Sequence, residues 1–288
     1  MRIGAVFPQL EIGPDPAVVR DWALTVESAG YTHALAYDHV LGASPANRPG
    51  WKGYTDKSLF HEVFVLFGYF AAITTSLELV TGVLVLPQRQ TALVAKQAAE
   101  VDVLSGGRLR LGVGIGWNEV EYQSLGIPFE QRGARLTEQV DVLRKLWAEP
   151  VISYEGRFHE VVEAGLNPLP PRRNIPVWFG GSADAVLRRT GRIGDGWMPQ
   201  SPPDQKARAQ VELIRASAVE AGRGPAEVGI EARLSLGAVP EKEWPAFVDG
   251  WRELGATHLC VNTMNMGLAK PEEHAAVLRD VLPLLQDR

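Results

Sequence analysis

The chain has 288 residues, of which 45% are hydrophobic and 22% charged, and its formal net charge is −5. This composition is typical of a globular protein that can bury a large core, and its negative charge gives no reason to expect a nucleic acid as partner. The single cysteine, Cys260, excludes an internal disulfide framework.

The most apolar long run, residues 60–72, contains His61 and Glu62 and is too short to span a bilayer. The opening residues Arg2-Ile3-Gly4 lead directly into an expected strand, so we expect no signal peptide. These features predict a cytoplasmic protein with no membrane partner.

Short β-rich runs alternate with helical runs along the whole chain. Asp15 before Pro16 is a typical helix start, and Gly30 is a typical left-handed helix end. We expect strands at residues 3–7, 32–37, 78–86, 109–114, 176–179, 193–198, 228–236 and 257–261. We expect helices at residues 16–29, 58–74, 91–104, 119–125, 130–147, 183–191, 204–220, 241–254 and 271–285.

Eight strands, each followed by a helix, predict an α/β fold with a parallel sheet closed into a (β/α)8 TIM barrel. A Thr-His pair preceded by Gly30 or Gly255 enters both the second and the eighth strand. Residues 151–162 predict an inserted β-hairpin between strands 4 and 5 that turns at Glu155-Gly156. No domain boundary interrupts the pattern, so we expect residues 1–288 to form a single domain.

Active sites of such barrels lie at the carboxyl ends of the strands, and this rule sorts the histidines. His39, directly after Asp38, is at a strand exit and is a candidate acid or base near neutral pH. His33 and His258 are at strand starts, where we expect structural roles. His61, on the apolar helix, is expected to be a satisfied core histidine.

Three glycines alternate at the exit of the fourth strand, at Gly112, Gly114 and Gly116. Their missing side chains would let a flat or anionic group approach the backbone, and tight packing at the strand exit is the alternative. Gly181 and Ser182 precede a helix, where backbone N–H groups and a hydroxyl would bind phosphate. The alternative there is that Ser182 only caps the helix.

The sequence disfavours two common chemistries. His61-Glu62 lacks the second histidine of a zinc-binding helix, and no Asp/His cluster collects at the strand exits, so we expect no metal. The G-x-S-x-G elbow of a serine hydrolase is absent. Strand exits with few charges, several glycines and aromatic residues favour a large, planar, phosphorylated cofactor.

These residues resemble the motifs of the bacterial-luciferase-like monooxygenase superfamily, in particular its deazaflavin-dependent oxidoreductases, which use coenzyme F420. The resemblance extends over nearly the whole chain and is carried by motifs at residues 37–39, 81–87, 104–108, 112–117, 176–182 and 194–197. It implies a (β/α)8 barrel with an insertion, in agreement with the strand count.

The resemblance also implies roles for individual residues. His39 would be the catalytic acid or base beside the reacting edge of the cofactor. The bond between Gly82 and Val83 would be a cis peptide in a bulge that bends the ring, and Gly181 and Ser182 would hold the phosphate. The residues that would contact the cofactor are Asp38, Gly82, Val83, Gly114, Gly116, Trp117, Asn118, Gly180, Gly181 and Ser182.

Two departures from the family pattern bear on the chemistry. Flavin-using relatives often have an arginine where this chain has Ile115, which disfavours FMN. Deazaflavin-dependent sugar-phosphate dehydrogenases have a glutamate where this chain has Trp117, which disfavours sugar-phosphate oxidation. We therefore predict F420-dependent hydride transfer between the cofactor and a small organic substrate.

Two alternatives remain open. One is an FMN-dependent monooxygenase that uses O2 and receives reduced flavin from a partner reductase. The other is a non-catalytic flavin-binding barrel, which the superfamily also contains.

Three further expectations concern the surroundings of the site. Trp117, Trp197 and Phe7 would form a dry apolar wall. The loop at residues 41–56 and the hairpin at 151–162 would determine substrate specificity. The apolar helix at residues 60–72 would form a subunit contact in a homodimer, as is common among relatives.

Overall fold

The computed structural model describes residues 1–286. Strands β1 to β11 are, in chain order, Arg2–Val6, His33–Ala36, Glu78–Thr81, Leu84–Val85, Leu109–Gly114, Ile152–Glu155, Glu160–Ala164, Val177–Gly180, Gly196–Met198, Gly229–Ser235 and His258–Asn262. Helices α1 to α9 are Pro16–Ala29, Val63–Ile73, Thr91–Leu104, Glu119–Ser124, Arg132–Ala148, Asp184–Ile193, Gln205–Glu220, Trp244–Glu253 and Pro271–Gln286.

The strands close into a parallel barrel. The order is β3-β2-β1-β11-β10-β9-β8-β5, and pairing of β3 with β5 completes the circle. Strands β3 and β4 are two halves of the third barrel strand, interrupted at Gly82-Val83, where the peptide bond is cis as the resemblance implied. The hairpin β6–β7 lies between the fourth and fifth barrel strands. The predicted TIM barrel with its insertion is confirmed.

The predicted single-domain span includes Asp287 and Arg288, which lie outside the described residues, and that span stays a prediction. Across residues 1–286, the helices are all too short or too polar to cross a bilayer.

The ends of the first two helices show how local sequence determines these elements. The Asp15 carboxylate accepts from the Ala17 N–H at 2.8 Å and begins α1, and Gly30 ends it with φ 98°, as predicted. The second helix was predicted too long at its start. It begins at Val63 because the Glu62 carboxylate accepts from the Val65 N–H at 2.9 Å.

Helix α2 buries its apolar residues within this chain. Its buried residues are Val63, Phe64, Leu66, Phe67, Phe70 and Ala71, and it packs against α1, α3 and β3. Its large exposed side chains are Val65 and Tyr69. Packing within the chain therefore accounts for most of the apolar character from which we predicted a dimer contact, and the homodimer stays a prediction.

Two separate apolar layers flank the strands. The layer inside the barrel consists of Val6, Leu35, Val80, Trp178, Met198, Cys260 and Met264. Phe7 belongs to the outer layer, where its ring centroid is 5.1 Å from that of Trp22, and Trp197 packs there against Trp251. The expected apolar wall is therefore wrong for Phe7 and Trp197, because both side chains lie between the barrel and its helices.

The alternate glycines of β5 accommodate the neighbouring third barrel strand. A Cβ placed on Gly112 would be 2.0 Å from the Thr81 carbonyl oxygen. A Cβ on Gly114 would be 2.5 Å from a methyl of Val83, and one on Gly116 the same distance from a methyl of Val85. Tight packing, the alternative reading of the glycine pattern, thus explains its alternation. The two strands approach so closely that they hold the Gly82-Val83 interruption in place.

We predict that Gly114→Ala destabilises the fold by about 1–3 kcal/mol, because the added methyl has no space beside Val83 in a buried strand. Gly68→Ala is the matched control. Nothing lies within 4 Å of a Cβ at this position in α2, and replacing a helical glycine should raise stability by about 0.5–1 kcal/mol. Urea unfolding measures both changes, and equal stabilities of the two variants would contradict the packing explanation.

Candidate active site

A cavity of about 460 Å³ opens at the carboxyl ends of the barrel strands. Apolar and aromatic side chains supply much of its wall: Leu10, Tyr54, Val83, Val85, Trp117 and Met264. Its polar lining comes from Tyr37, Asp38, His39, Gln200, Arg233, Ser235, Asn262 and Asn265. Flat apolar faces with polar groups between them suit a planar heterocycle.

His39 is the histidine that lines this cavity. Its Nδ1 is 3.0 Å from Oε2 of Glu121, on α4. The rings of Tyr54, Phe60 and Trp117 surround the imidazole, with centroids 4.8, 4.9 and 5.8 Å away. An imidazole that donates Nδ1–H to a carboxylate has Nε2 left to exchange a proton.

Glu121 is fully buried, and it was not among the site residues predicted from the sequence. Its Oε1 accepts hydrogen bonds from the backbone N–H groups of Val40 and Leu41. Burial raises the pKa of Glu121, but the bonds from His39 and from these two N–H groups outweigh it, so the pKa lies below its ordinary value. The ionised carboxylate thus orients both His39 and the chain that follows it.

One sequence signal could have indicated Glu121. Asn118 and Glu121 have the spacing of a helix N-cap and its N3 residue. The structure shows Asn118 as that cap, with its side-chain oxygen 3.4 Å from the Glu121 nitrogen. The Glu121 side chain, however, turns toward the second barrel strand.

Asp38 lines the cavity, but internal contacts use both of its carboxylate oxygens. Oδ1 accepts from Arg89 at 2.6 Å, and Oδ2 accepts from the Val85 N–H at 2.9 Å. Arg89 also donates to Glu62 at 3.0 Å. Asp38 therefore fixes β4 beside the end of β2, a positioning role that the predicted cofactor contact did not anticipate.

The predicted glycine contacts fall into two groups. Gly82, Val83 and Gly116 line the cavity. Gly114 and Gly180 lie behind Val83, whose methyls would be 2.5 and 2.7 Å from a Cβ on the respective glycine. These two glycines make room for Val83 and are not among the residues that line the cavity, so their direct contact with a cofactor stays a prediction.

Trp117 lines the cavity under the loop that follows β2. A Cβ on Gly53 would be 1.9 Å from the Trp117 ring, and the ring of Trp51 lies 5.7 Å from it between centroids. The loop closes at its base through a bridge between Ala43 and Thr55. This loop supplies Tyr54 to the cavity lining, whereas the hairpin β6–β7 supplies no lining residue among those described.

Three other predicted contacts lie outside the cavity lining. Asn118 is buried, caps α4, and donates to the Leu41 carbonyl at 3.3 Å, so its side chain is already engaged. Gly181 and Ser182 are exposed just before α6. Ser182 is not the N-cap, because Ala183 occupies that position, so its hydroxyl does not have the capping role that was the alternative to phosphate binding.

Arg233 and Tyr37 meet across the barrel mouth. Nη1 of Arg233, on β10, donates to the Tyr37 hydroxyl at 2.9 Å, and the guanidinium carbon lies 5.5 Å from the centre of the Tyr37 ring. Burial raises the pKa of Tyr37 to about 12, although Arg233 opposes this. The hydroxyl is therefore neutral at physiological pH and can accept from Arg233.

A buried polar cluster lies at the other end of the barrel. His33, Glu231 and Cys260 place ligand atoms within 4.8 Å of one another. Nε2 of His33 is 2.7 Å from Glu231, and the Arg110 guanidinium also pairs with Glu231. Arg110 supplies the positive charge that a metal would bring, so this cluster is an internal ion-pair network and matches the structural role predicted for His33.

His61 differs from the prediction. It precedes α2 rather than lying on it, and its Nε2 is buried with no hydrogen-bond partner among residues 1–286. Its ring lies 5.8 Å from that of Phe7. It is packed against the core, but it is not the satisfied histidine that we expected.

Residues 3–279 match the sequence profile of luciferase-like monooxygenases. The chain belongs to the luciferase-like monooxygenase family. An uncharacterized protein of Mycobacterium tuberculosis is 36% identical over 206 residues, covering 68% of this chain and 70% of the relative. The FMNH2-dependent dimethylsulfone monooxygenase of Pseudomonas putida is 29% identical over 268 residues, covering 88% of this chain and 68% of that enzyme.

Solved structures of the luciferase-like family share the whole fold. An F420-dependent secondary alcohol dehydrogenase in complex with an F420-acetone adduct superposes with a TM-score of 0.80 at 16% identity, with 99% of each chain covered. The relatives include enzymes that use F420 and enzymes that use FMN. Together these relatives support an oxidoreductase or monooxygenase of the luciferase-like class.

We predict that Glu121→Gln lowers the free energy of unfolding by about 1–3 kcal/mol at pH 7, since a charged acceptor of three hydrogen bonds is lost. The folded pKa of Glu121 is depressed, so this contribution is fully present above its unfolded pKa of about 4.5 and is lost progressively as pH falls from there through the lower folded pKa. Denaturant titrations between about pH 2 and 7 measure it.

Glu119→Gln is the matched control for this prediction, because Glu119 is an exposed carboxylate in the first turn of the same helix. It should change stability by less than about 0.5 kcal/mol. A Glu121→Gln effect that stays constant across this pH range would contradict the assigned role of the ionised carboxylate.

Proposed function

We propose that the protein is an F420-dependent oxidoreductase that transfers hydride between the deazaflavin and a small organic substrate. The observation that carries the proposal is the pairing of His39 with buried Glu121 at a cavity whose lining also contains Val83. A proton-transfer group and a flat supporting wall in one cavity are what a hydride transfer to or from an oxygen-bearing carbon needs.

Three features of the cavity and its surroundings support a deazaflavin as the cofactor. Val83 projects into the cavity between two glycines, so a planar ring could rest on this side chain. Gly116, which also lines the cavity, has no side chain that would obstruct the ring. Gly181 and Ser182, exposed at the start of α6, are available for the phosphate, although Asp184 in the first turn opposes an anion there. Ile115 packs against the outer core and offers no charge, which favours F420 over FMN.

When bound, the deazaflavin supplies a ring carbon that accepts or donates hydride. His39 is placed to give or take the accompanying proton through Nε2, while Glu121 accepts a hydrogen bond from Nδ1 and fixes the orientation of the ring. Tyr54, Phe60 and Trp117 enclose His39 and keep water from it. Asp38 holds β4, and with it Val83, in place through the Val85 N–H.

An FMN-dependent monooxygenase supplied with reduced flavin by a partner reductase is the second candidate. The similarity to the FMNH2-dependent monooxygenase of Pseudomonas putida favours it. The two candidates differ in which cofactor binds and in whether O2 is consumed.

Cofactor titration tests the proposal. We expect F420 to bind at least about ten times more tightly than FMN, measured by quenching of the fluorescence of Trp117 and the other tryptophans or of the cofactor itself. Tighter FMN binding accompanied by O2 consumption would favour the second candidate. Failure of both cofactors to bind would refute both.

We predict that His39→Gln lowers the rate of hydride transfer by about 10²–10⁴-fold, with cofactor affinity within about twofold of wild type, because the residue moves a proton. The rate is followed through the cofactor's absorbance with a panel of alcohols, aldehydes and hydroxy acids. His159→Gln is the control, since His159 pairs with Thr91 and Glu138 outside the cavity, and should leave the rate unchanged. An unaltered rate in His39→Gln would contradict the acid–base role.

A further inference from the structure

The wall of the cavity opposite Val83 carries a positive charge. Val83 follows the first half of the third barrel strand, and Arg233 is on the seventh, so in a closed ring of eight strands the two stand across the mouth from each other. A planar ring resting on Val83 would turn its other face toward Arg233. That face is where a substrate has to lie to exchange hydride with the ring.

Arg233 is the one arginine or lysine among the described residues that line the cavity. Within residues 1–286 its guanidinium forms no ion pair with a carboxylate. The other charged groups are different in this respect, because Asp38 pairs with Arg89, and His39 pairs with Glu121. The cavity therefore contains a cation without a matching anion from the protein.

The guanidinium is also held in position before any ligand arrives. Its Nη1 donates to the Tyr37 hydroxyl, and its central carbon lies 5.5 Å from the centre of the Tyr37 ring. Ser235, two residues further along β10, and Asn262 on β11 also line the cavity, with the Asn262 Nδ2 and the Ser235 Oγ 3.4 Å apart. A fixed guanidinium with neutral donors beside it is the arrangement that binds a carboxylate through charge-assisted hydrogen bonds.

We propose that Arg233 determines substrate specificity by binding a carboxylate, so that the substrate is a small organic acid whose reacting carbon lies between Arg233 and His39. This inference rests on the proposed function for the reaction. The binding preference itself depends only on the cavity. The matching neutral amide would leave the guanidinium without its counter-charge, which is the basis of discrimination.

Calorimetric titration with two matched pairs of probes tests the proposal: propionate against propionamide, and benzoate against benzamide. Each pair is titrated into the protein with and without bound F420. We expect each carboxylate to bind about ten to a hundred times more tightly than its amide. Equal affinities within the pairs, or no binding of any of the four, would overturn the proposal.

Variants of Arg233 test whether this residue causes the preference for carboxylates over amides. Arg233→Gln should abolish the preference for carboxylates, and Arg233→Lys should retain part of it, because the charge remains but the planar fork is lost. Tyr37→Phe should weaken carboxylate binding only a few-fold, since the guanidinium keeps its charge but loses the hydrogen bond to Tyr37 that orients it. Arg208→Gln, which changes an exposed arginine on α7, is the matched control and should behave as wild type.

Two results separate this proposal from others. If Arg233→Gln weakens F420 binding and leaves the carboxylate-to-amide ratio unchanged, Arg233 serves the cofactor and the proposal fails. If neither F420 nor FMN binds to the wild-type protein, the proposed function fails, whereas the titrations without cofactor still decide whether Arg233 selects carboxylates.

Discussion

The close approach of β5 to the third barrel strand is the constraint on which the site depends. Gly112, Gly114 and Gly116 remove the side chains that would keep the strands apart, and the interrupted strand then fills that space. Val83 is held between Gly114 and Gly180 and projects into the cavity. The glycines thus affect ligand binding indirectly, because they determine the position of the Val83 side chain in the cavity wall.

The polar groups of the site are supported by the same region. Asp38 accepts hydrogen bonds from the Val85 N–H and from the Arg89 guanidinium. The bond from Val85 links the end of β2 to the third barrel strand. Glu121, on the helix after β5, holds His39 and the backbone of Val40 and Leu41. Two buried carboxylates therefore position the wall and the proton-transfer group, and neither needs to touch a ligand to do so.

Much of the architecture could be predicted from the sequence because it depends on local signals. The alternation of strands and helices predicted the closed barrel, and Asp15 and Gly30 marked both ends of α1. His39 could be selected among six histidines by its place at a strand exit. The start of α2 was misplaced, because nothing local showed that the Glu62 side chain would turn to cap it.

Contacts between distant parts of the chain could not be predicted in this way. Glu121 reaches a histidine 82 positions earlier, and no local pattern specifies that direction. Phe7 and Trp197 were expected in the cavity, but alternation along a strand does not say which face of a barrel strand looks inward when both faces are buried. Likewise, the glycine pattern showed where space was needed but not that Val83 would occupy it.

A crystal structure of the protein with F420 tests the central claim most directly, namely that Val83 supports a ring whose other face is left to the substrate. We predict that the ring lies on the Val83 side chain, with His39 at its reacting edge and Arg233 facing it across the remaining space. A ring bound outside this cavity, or one that covers Arg233 and leaves Val83 free, would contradict the account.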